Sequence, residues 1–216
     1  RVWTKEELTR LGRICLENNI LVVSDEIHQD IVYPGATHIP FASISEEFAL
    51  SSITCTSPSK TFNLAGLQTA TIIIPNTVYY DIYKNFIKRL ELLNNHVFGI
   101  VAQEAAYMYG EEWLNQLLEY LTGNLKLLID EIEREIPQLK VIRPEGTFFV
   151  WLDCTSLGLD PHQLSDFMTN KAKLALESGY WFGTGGEGFE RINIACPRIY
   201  VTEAVKRLKT AIREIK

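Results

Sequence analysis

Two short apolar runs near the start of this 216-residue chain constrain its fold more than any other feature. Residues 20–24 are almost continuously apolar, which is typical of a parallel strand buried on both faces. Residues 53–56 predict a second strand, and Lys60 follows it closely, as Asp25 follows the first. Open α/β sheets have their catalytic and binding residues at the carboxyl ends of the strands. We therefore expect Lys60 and a half-buried Asp25 to lie at the carboxyl ends of these two strands.

The rest of the sequence predicts an α/β architecture with a long helical region in its middle. Thr4 and Glu7 form a capping box that starts the first helix, and a third strand is expected at residues 70–74. Leucine and isoleucine recur with helical spacing in residues 111–136, which predicts one long amphipathic helix. The other predicted elements are a short helix at 41–48, helices within 77–110, strands at 140–143, 147–154 and 191–196, a helix at 161–177 and a final helix from 202.

Composition excludes several classes of protein. Hydrophobic residues make up 46% of the chain and charged residues 22%, as in ordinary globular proteins. The net charge of -6 disfavours nucleic acid or an anionic membrane as a partner. The four cysteines follow no Cys-x-x-Cys spacing, which favours free thiols in the reducing cytoplasm over zinc or disulfide sites. No apolar stretch reaches the roughly 18 residues of a membrane span, and we expect no signal peptide.

The combination of Lys60 and Asp25 suits one cofactor in particular. Pyridoxal phosphate carries an aldehyde that reacts with an amine and a ring nitrogen that pairs with a carboxylate. Each residue also has an ordinary alternative, because a lysine after a strand can be a surface residue and an aspartate can cap a helix or form a salt bridge. The pair therefore indicates pyridoxal phosphate and leaves these structural roles open.

The sequence around these residues resembles a known enzyme superfamily. Ser57-x-Ser59-Lys60 follows a predicted strand, Asp25 precedes the lysine by 35 residues, and an Arg-Ile-Asn-Ile-Ala run begins at Arg191. This combination resembles the fold type I pyridoxal phosphate enzymes, the class I/II aminotransferase superfamily. The resemblance spans nearly the whole chain.

Within that superfamily the chain is similar to the cystathionine β-lyase branch of carbon-sulfur lyases. The likeness lies in Ser-Asp-Glu-Ile-His ending at His28, in Lys-Thr-Phe-Asn-Leu-Ala-Gly-Leu starting at Lys60, and in Ala-Cys-Pro-Arg starting at Ala195. Most aminotransferases have a tyrosine at the position of His28, and an imidazole can donate the same hydrogen bond. The resemblance therefore implies β-elimination from a sulfur amino acid, giving a thiol, pyruvate and ammonia. An aminotransferase is the alternative, followed by a noncatalytic regulator that reuses the fold.

The resemblance also implies roles for individual residues. Lys60 would be the catalytic residue, which binds the cofactor aldehyde and then acts as general base. Asp25 would pair with the ring nitrogen, and His28 would donate a hydrogen bond to the ring 3-oxygen. Ser57 is the better candidate and Ser59 the weaker one for binding the cofactor phosphate.

Three further positions concern the substrate and the phosphate. Arg191 would bind the substrate α-carboxylate through two parallel hydrogen bonds, with a structural salt bridge as the alternative. Arg198 could share this function, and the sequence does not rank it. Many aminotransferases carry an arginine eight residues after the lysine, where this chain has Gln68, so one phosphate contact differs.

The resemblance implies a domain organisation as well. Residues 1–110 would be the C-terminal part of a cofactor-binding large domain, and residues 111–216 a linking helix and a small α+β domain. The chain begins at Arg1 without a methionine and resembles the C-terminal part of a longer protein. By resemblance, the intact protein would be a cytoplasmic homodimer acting on a small amino-acid substrate, whereas this part alone would be inactive and bind cofactor weakly.

Two other patterns suggest binding sites but have better explanations. Residues 183–188 are rich in glycine, yet they lack the Gly-Lys-Ser/Thr ending of a P-loop, so we expect a loop. Asp25, Glu26, His28 and Asp30 could form a metal cluster. Because residues 25 and 28 point in different directions where a strand ends, we expect no metal site there.

Overall fold

The computed structural model describes residues 1–92 and 96–214, which divide into two compact units, Arg1–Gln116 and Leu117–Lys216. The helices are α1 (Lys5–Glu17), α2 (Glu46–Leu50), α3 (Pro58–Thr61), α4 (Thr77–Arg89), α5 (Val97–Tyr109), α6 (Glu111–Glu135), α7 (Pro161–Asp166) and α8 (Arg198–Arg213). The strands are β1 (Val22–Asp25), β2 (Ser52–Thr56), β3 (Thr71–Ile73), β4 (Lys140–Ile142), β5 (Phe149–Asp153), β6 (Glu177–Ser178) and β7 (Phe189–Asn193). No helix in the described ranges is long and apolar enough to cross a membrane.

The sheet of unit 1 has the strand order β1-β2-β3. β1 and β2 are parallel, with Asp25 opposite Cys55, and β3 runs antiparallel to β2. All three strands were predicted within about two residues of their ends. Because β1 and β2 point the same way, Asp25 and the turn after Thr56 lie at one edge of the sheet, as the two apolar runs predicted.

The burial predicted for β1 is wrong. The strand alternates between half-buried and exposed residues, the side chain of Val23 is 63% exposed, and Asp25 is exposed rather than half-buried. β1 is the edge strand of its sheet, so only one of its sides pairs with another strand. An apolar run predicts burial only when another element covers it, and the run itself does not show which element that is.

A small core supports the start of unit 1. The predicted capping box of α1 is present, with the Thr4 hydroxyl accepting from the N–H of Glu7 and the Glu7 carboxylate accepting from the N–H of Thr4. Leu8 packs with Phe41 and Phe48, whose rings stack at 5.2 Å between centroids. The predicted helix at 41–48 is instead a 3-10 turn followed by α2, because Ser45 caps a new helix with its hydroxyl.

Unit 2 contains an antiparallel sheet with the strand order β4-β5-β7-β6. One face of this sheet is buried and carries alternate residues of β5 and β7, including Leu152 and Ile192. The predicted amphipathic stripe of α6 supplies fully buried residues such as Leu121, Leu128 and Ile132, and α8 supplies Leu208. The region 183–188 is a loop, as predicted.

Two helix boundaries in unit 2 differ from the prediction. The helix predicted at 161–177 ends early: α7 stops at Asp166, a π-helical turn follows, and β6 begins at Glu177. Lys173 adopts a positive φ of 56°, a conformation that ends helices. The final helix begins at Arg198, directly after Pro197, rather than at residue 202.

The division into units falls within α6, which begins in unit 1 and ends in unit 2. The predicted boundary at residue 110 lies at the turn between α5 and α6. The assignment of residues 1–110 and 111–216 to a large and a small domain stays a prediction.

Candidate functional site

Lys60 lies on α3, a single helical turn that follows β2 directly. Ser57 precedes this turn with extended backbone and accepts a hydrogen bond from the N–H of Ser59 at 3.1 Å. Pro58 occupies the first helical position, where its fixed φ favours a helix start. The Ser-Pro-Ser-Lys sequence thus forms a defined turn at the carboxyl end of β2 and holds a half-buried Lys60 there.

The hydroxyl groups of Ser57 and Ser59 are already engaged with the protein. The Ser57 oxygen is 2.7 Å from the carbonyl oxygen of Thr69 and 2.7 Å from the Ser59 hydroxyl. A carbonyl can only accept, so the single Ser57 proton goes to Thr69 and the Ser59 hydroxyl donates to Ser57. A phosphate at this turn can take the Ser59 proton by rotation of one hydroxyl, whereas the Ser57 proton would have to leave Thr69. This geometry therefore favours Ser59 over Ser57 as the hydroxyl donor to a phosphate, whereas the sequence favoured Ser57.

Asp25 ends β1 and is exposed. Its Oδ1 accepts a long hydrogen bond of 3.4 Å from the N–H of Ile27. The thiol of Cys55, opposite Asp25 in the parallel pair, has its pKa raised by burial and then by the Asp25 charge. The Asp25 carboxylate thus lies at the same edge of the sheet as the segment that leads into α3.

Glu26 forms a polar cluster next to Asp25 that sequence reasoning did not predict. It is 6% exposed and accepts hydrogen bonds from the Ser24 hydroxyl (2.8 Å), the Phe41 N–H (3.0 Å) and His38 Nε2 (3.0 Å). Burial raises the pKa of Glu26, but these hydrogen bonds outweigh burial, so its pKa lies below the ordinary value. Glu26 therefore anchors the residues after β1 to the segment before α2. Its partners are up to 15 residues away, so no local pattern indicated them.

His28 follows in the turn after β1 and is half-buried. Its carbonyl oxygen accepts from the N–H of Ile31, a fully buried residue, so the backbone of the turn is fixed. Gln68, at the position where many aminotransferases have an arginine, is exposed and adopts a positive φ of 49°.

Arg191 lies on β7 of unit 2 and points away from the buried face that carries Ile192. Its guanidinium forms an ion pair with Glu177 through Nε (2.6 Å) and Nη2 (2.5 Å). The guanidinium also lies 4.0 Å from the ring centroid of Phe149 and 4.5 Å from that of Phe182. The predicted alternative of a salt bridge is therefore present. Two aromatic rings and one carboxylate fix the plane of the guanidinium, which leaves a preorganised group of the kind that binds carboxylates.

Arg198 is part of the packing of α8 against α6. Its Nε donates to Oδ1 of Asn124 at 3.0 Å, and its guanidinium lies 5.0 Å from the ring centroid of Tyr120. Asn124 is fully buried and donates to the carbonyl oxygens of Ile194 and Cys196. These contacts give Arg198 a structural role.

The structure thus brings five of the six predicted site residues into one unit. Lys60, Ser57 and Ser59 follow β2, Asp25 ends β1 and His28 lies in the turn after β1, at the carboxyl ends of the two parallel strands. Arg191 belongs to the other unit. Within residues 1–92 and 96–214, no group of three His, Cys, Asp or Glu side chains could hold a metal ion.

The family model for aminotransferases of class I and II matches residues 1–208 of this chain. The chain belongs to that family. Among curated relatives, cystathionine beta-lyase PatB of Bacillus subtilis is 40% identical over 212 residues, which cover 98% of this chain and 55% of PatB. The chain spans about half the length of the curated relatives it matches.

Solved structures of family members share the fold. A PLP-bound C-S lyase from Staphylococcus hominis matches with a TM-score of 0.92 and 35% identity, over 99% of this chain and 54% of that one. A PLP-bound protein from Clostridium difficile 630, provisionally named an aminotransferase, matches with a TM-score of 0.96 and 47% identity, over 98% of this chain and 55% of that one.

The chemistry of the described side chains fits pyridoxal phosphate. The edge formed by β1 and β2 offers an amine on Lys60, an exposed carboxylate on Asp25 and a hydroxyl on Ser59. These three side chains match three functional groups of the cofactor: the amine matches the aldehyde, the carboxylate matches the ring nitrogen and the hydroxyl matches the phosphate. The residues of this aminotransferase-family chain that could hold the cofactor are therefore those of unit 1.

Proposed function

We propose that the intact protein is a pyridoxal phosphate-dependent carbon-sulfur β-lyase that converts a sulfur amino acid such as cystathionine, together with one water, into a thiol, pyruvate and ammonia. The observation that carries this proposal is the parallel pairing of β1 and β2. Because the two strands run the same way, Asp25 at the end of β1 lies at the same end of the sheet as the turn after β2 that carries Lys60. The similarity to PatB and to the Staphylococcus hominis lyase supports the lyase reaction.

Each residue contributes one physical effect to the proposed reaction. The bound cofactor supplies an electron sink for the bonds that break at the substrate α-carbon. Lys60 would hold the cofactor through its aldehyde, and its amine would take the substrate α-proton as general base. Asp25 keeps a proton on the ring nitrogen, and His28 donates a hydrogen bond to the ring 3-oxygen. Ser59 and Ser57 serve the phosphate.

Arg191 binds the substrate α-carboxylate in this proposal. The guanidinium lies over the rings of Phe149 and Phe182 and pairs with Glu177 through Nε and Nη2, and its remaining N–H donors on Nη1 and Nη2 can bind a carboxylate through two parallel hydrogen bonds. The carboxylate then fixes the rotation of the substrate about its α-carbon, so that the C–H bond can face the general base.

An aminotransferase is the second candidate, because the Clostridium difficile protein at 47% identity is provisionally named one. In that reaction Lys60 would also move the α-proton, and the substrate would lose its amino group to a keto-acid acceptor without losing a thiol. Both reactions use the same residues for the first proton transfer, so the site alone does not separate them.

A substrate panel on the intact protein separates the two candidates. The lyase is expected to form pyruvate stoichiometrically from cystathionine without a keto-acid acceptor, and Lys60→Ala is expected to lose this activity together with the visible absorbance of the bound cofactor. Activity that appears only with an acceptor would support the aminotransferase. A parent protein without cofactor absorbance would contradict both candidates.

We also propose that the intact protein is a cytoplasmic homodimer. The four free cysteines favour a reducing compartment. Exposed apolar side chains on α4 and α5, such as Phe86 and Phe98, favour a surface that another copy covers. Light scattering after size-exclusion chromatography tests the dimer, and a monomer at micromolar concentration would contradict it.

A further inference from the structure

The residue that follows Lys60 forms a hydrogen bond across unit 1. Thr61 is fully buried, and its hydroxyl donates to Oδ2 of Asp30 at 2.7 Å, although the two residues are 31 positions apart. Thr61 ends α3, and Asp30 lies in the turn after β1. The bond therefore joins the segment that carries the lysine to the segment that carries Asp25 and His28.

The turn after β1 is fixed on both sides of Asp30. The N–H of Glu26 donates to the carbonyl oxygen of Cys55 at 2.9 Å, which ties the start of the turn to β2. The N–H of Ile31 donates to the carbonyl oxygen of His28 at 3.0 Å, and the Ile31 side chain is fully buried. Asp30 is therefore presented to Thr61 by a rigid backbone.

A third element, α5, meets the pair. Burial and then the Asp30 charge raise the pKa of Tyr107 on α5. Phe62, next after Thr61, packs edge-on against Tyr107 with 5.9 Å between ring centroids. The chain on the C-terminal side of Lys60 is thus held by a hydrogen bond at one residue and by an aromatic contact at the next.

We propose that Thr61 and Asp30 are positioning residues, which set the orientation of Lys60 relative to Asp25 at the cofactor site. The inference rests on the proposed function. A catalytic constellation has to be held to about 0.5 Å, and a hydrogen bond to a carboxylate is stronger and shorter than one between neutral groups. Thr61 and Asp30 act through the segments on which Lys60 and Asp25 lie.

The test uses the intact protein with pyridoxal phosphate and two variants of Thr61. Thr61→Val keeps the shape of the side chain and removes the hydroxyl, whereas Thr61→Ser keeps the hydroxyl. Thr61→Val is expected to weaken cofactor binding about tenfold, which equals 1.4 kcal/mol, and to shift the pH midpoint of the visible cofactor absorbance. Thr61→Ser is expected to restore both values. Thr9→Val is the matched control, because the Thr9 hydroxyl donates to a carbonyl within α1.

A purely structural role predicts a different result. In that case Thr61→Val lowers the melting temperature but keeps the parental cofactor affinity and pH midpoint, and this outcome overturns the proposal. If Thr61→Val does not fold, Asp30→Asn gives the same readouts, since its amide oxygen still accepts a hydrogen bond but lacks the charge. Asp30→Asn is expected to weaken cofactor binding severalfold, and parental affinity and pH midpoint in that variant overturn the proposal.

The failure of the proposed function is distinguishable from the failure of this inference. Borohydride reduction followed by peptide mass spectrometry shows whether the cofactor of the parent protein is attached to Lys60. A parent without that attachment overturns the proposed function and this inference together. A parent with the attachment, and Thr61→Val with unchanged cofactor affinity and pH midpoint, overturns this inference alone.

Discussion

Glu190 makes the stability of unit 2 sensitive to pH. It lies on β7, between Leu152 of β5 and Ser178 of β6, and is 1% exposed. Its Oε1 accepts a hydrogen bond of 3.1 Å from the Ser178 hydroxyl, whereas its Oε2 has no hydrogen-bond partner among the described residues. Burial raises the pKa of Glu190 from 4.5 to about 7. The nearby thiol of Cys154 also has a raised pKa, because of burial and the Glu190 charge.

The sign of the effect follows from proton binding. A carboxyl group with a raised pKa in the folded state binds more protons there than in the unfolded chain. The stabilisation that the protonated Glu190 provides is complete below pH 4.5, the pKa of the carboxyl group in the unfolded chain. This stabilisation is lost as the pH rises through about 7, the pKa in the folded state. Each pKa unit corresponds to 1.36 kcal/mol, so ionisation of Glu190 lowers the free energy of unfolding by about 3 kcal/mol.

Glu190→Gln removes this cost, because an amide does not ionise. Urea unfolding is measured at pH 5 and pH 8 for the parent, for Glu190→Gln and for Glu119→Gln, an exposed control on α6. We expect Glu190→Gln to be within about 1 kcal/mol of the parent at pH 5 and about 2–3 kcal/mol more stable at pH 8. The control is expected to follow the parent at both values. Parallel changes with pH in the parent and Glu190→Gln would refute the reasoning.

Three further substitutions test particular contacts. Arg191→Lys loses the fork of donors, so we expect KM for the amino acid to rise about tenfold or more while cofactor affinity stays constant; an unchanged KM would argue against carboxylate binding. Gly12→Ala places a methyl group 2.3 Å from the Phe48 ring and is expected to cost about 1–3 kcal/mol in urea unfolding, whereas equal stability would show that the ring moves freely. Asn124→Ala removes the amide donor to the carbonyl oxygens of Ile194 and Cys196 and the acceptor of Arg198 Nε, and a loss below about 1 kcal/mol would contradict the importance of this cluster.

Sequence patterns predicted those features of the fold that depend on residues close together in the chain. The capping residues of α1, the apolar stripe of α6 and the alternation of β7 each depend on neighbours in sequence, and all three are present. The helix predicted at 161–177 failed because Lys173 adopts a left-handed conformation, for which lysine has no strong preference. The burial of β1 failed because it depends on which element covers the strand.

The residues of the candidate site divide in the same way. Lys60, Asp25 and Arg191 could be predicted as candidates because each follows or lies on a strand within a characteristic run of residues. The bonds of Glu26 to His38 and Phe41 and the Thr61–Asp30 bond were missed because they join residues 12 to 31 positions apart that share no motif. Contacts that position a site depend on tertiary packing, whereas the groups that perform its chemistry recur in short motifs.

Two consecutive acids at the end of β1 differ in burial and in the number of hydrogen bonds that they accept. Glu26 is buried and accepts three hydrogen bonds, so exchanging its partners for a ligand would leave a buried carboxylate unsatisfied. Asp25 points to the other side of the strand end, is exposed and accepts one long hydrogen bond from Ile27. A carboxylate with unused acceptor capacity can pair with the protonated ring nitrogen of a cofactor at little cost in lost contacts. Of these two acids, Asp25 is therefore the better candidate for pairing with the ring nitrogen, as the proposed function assigns.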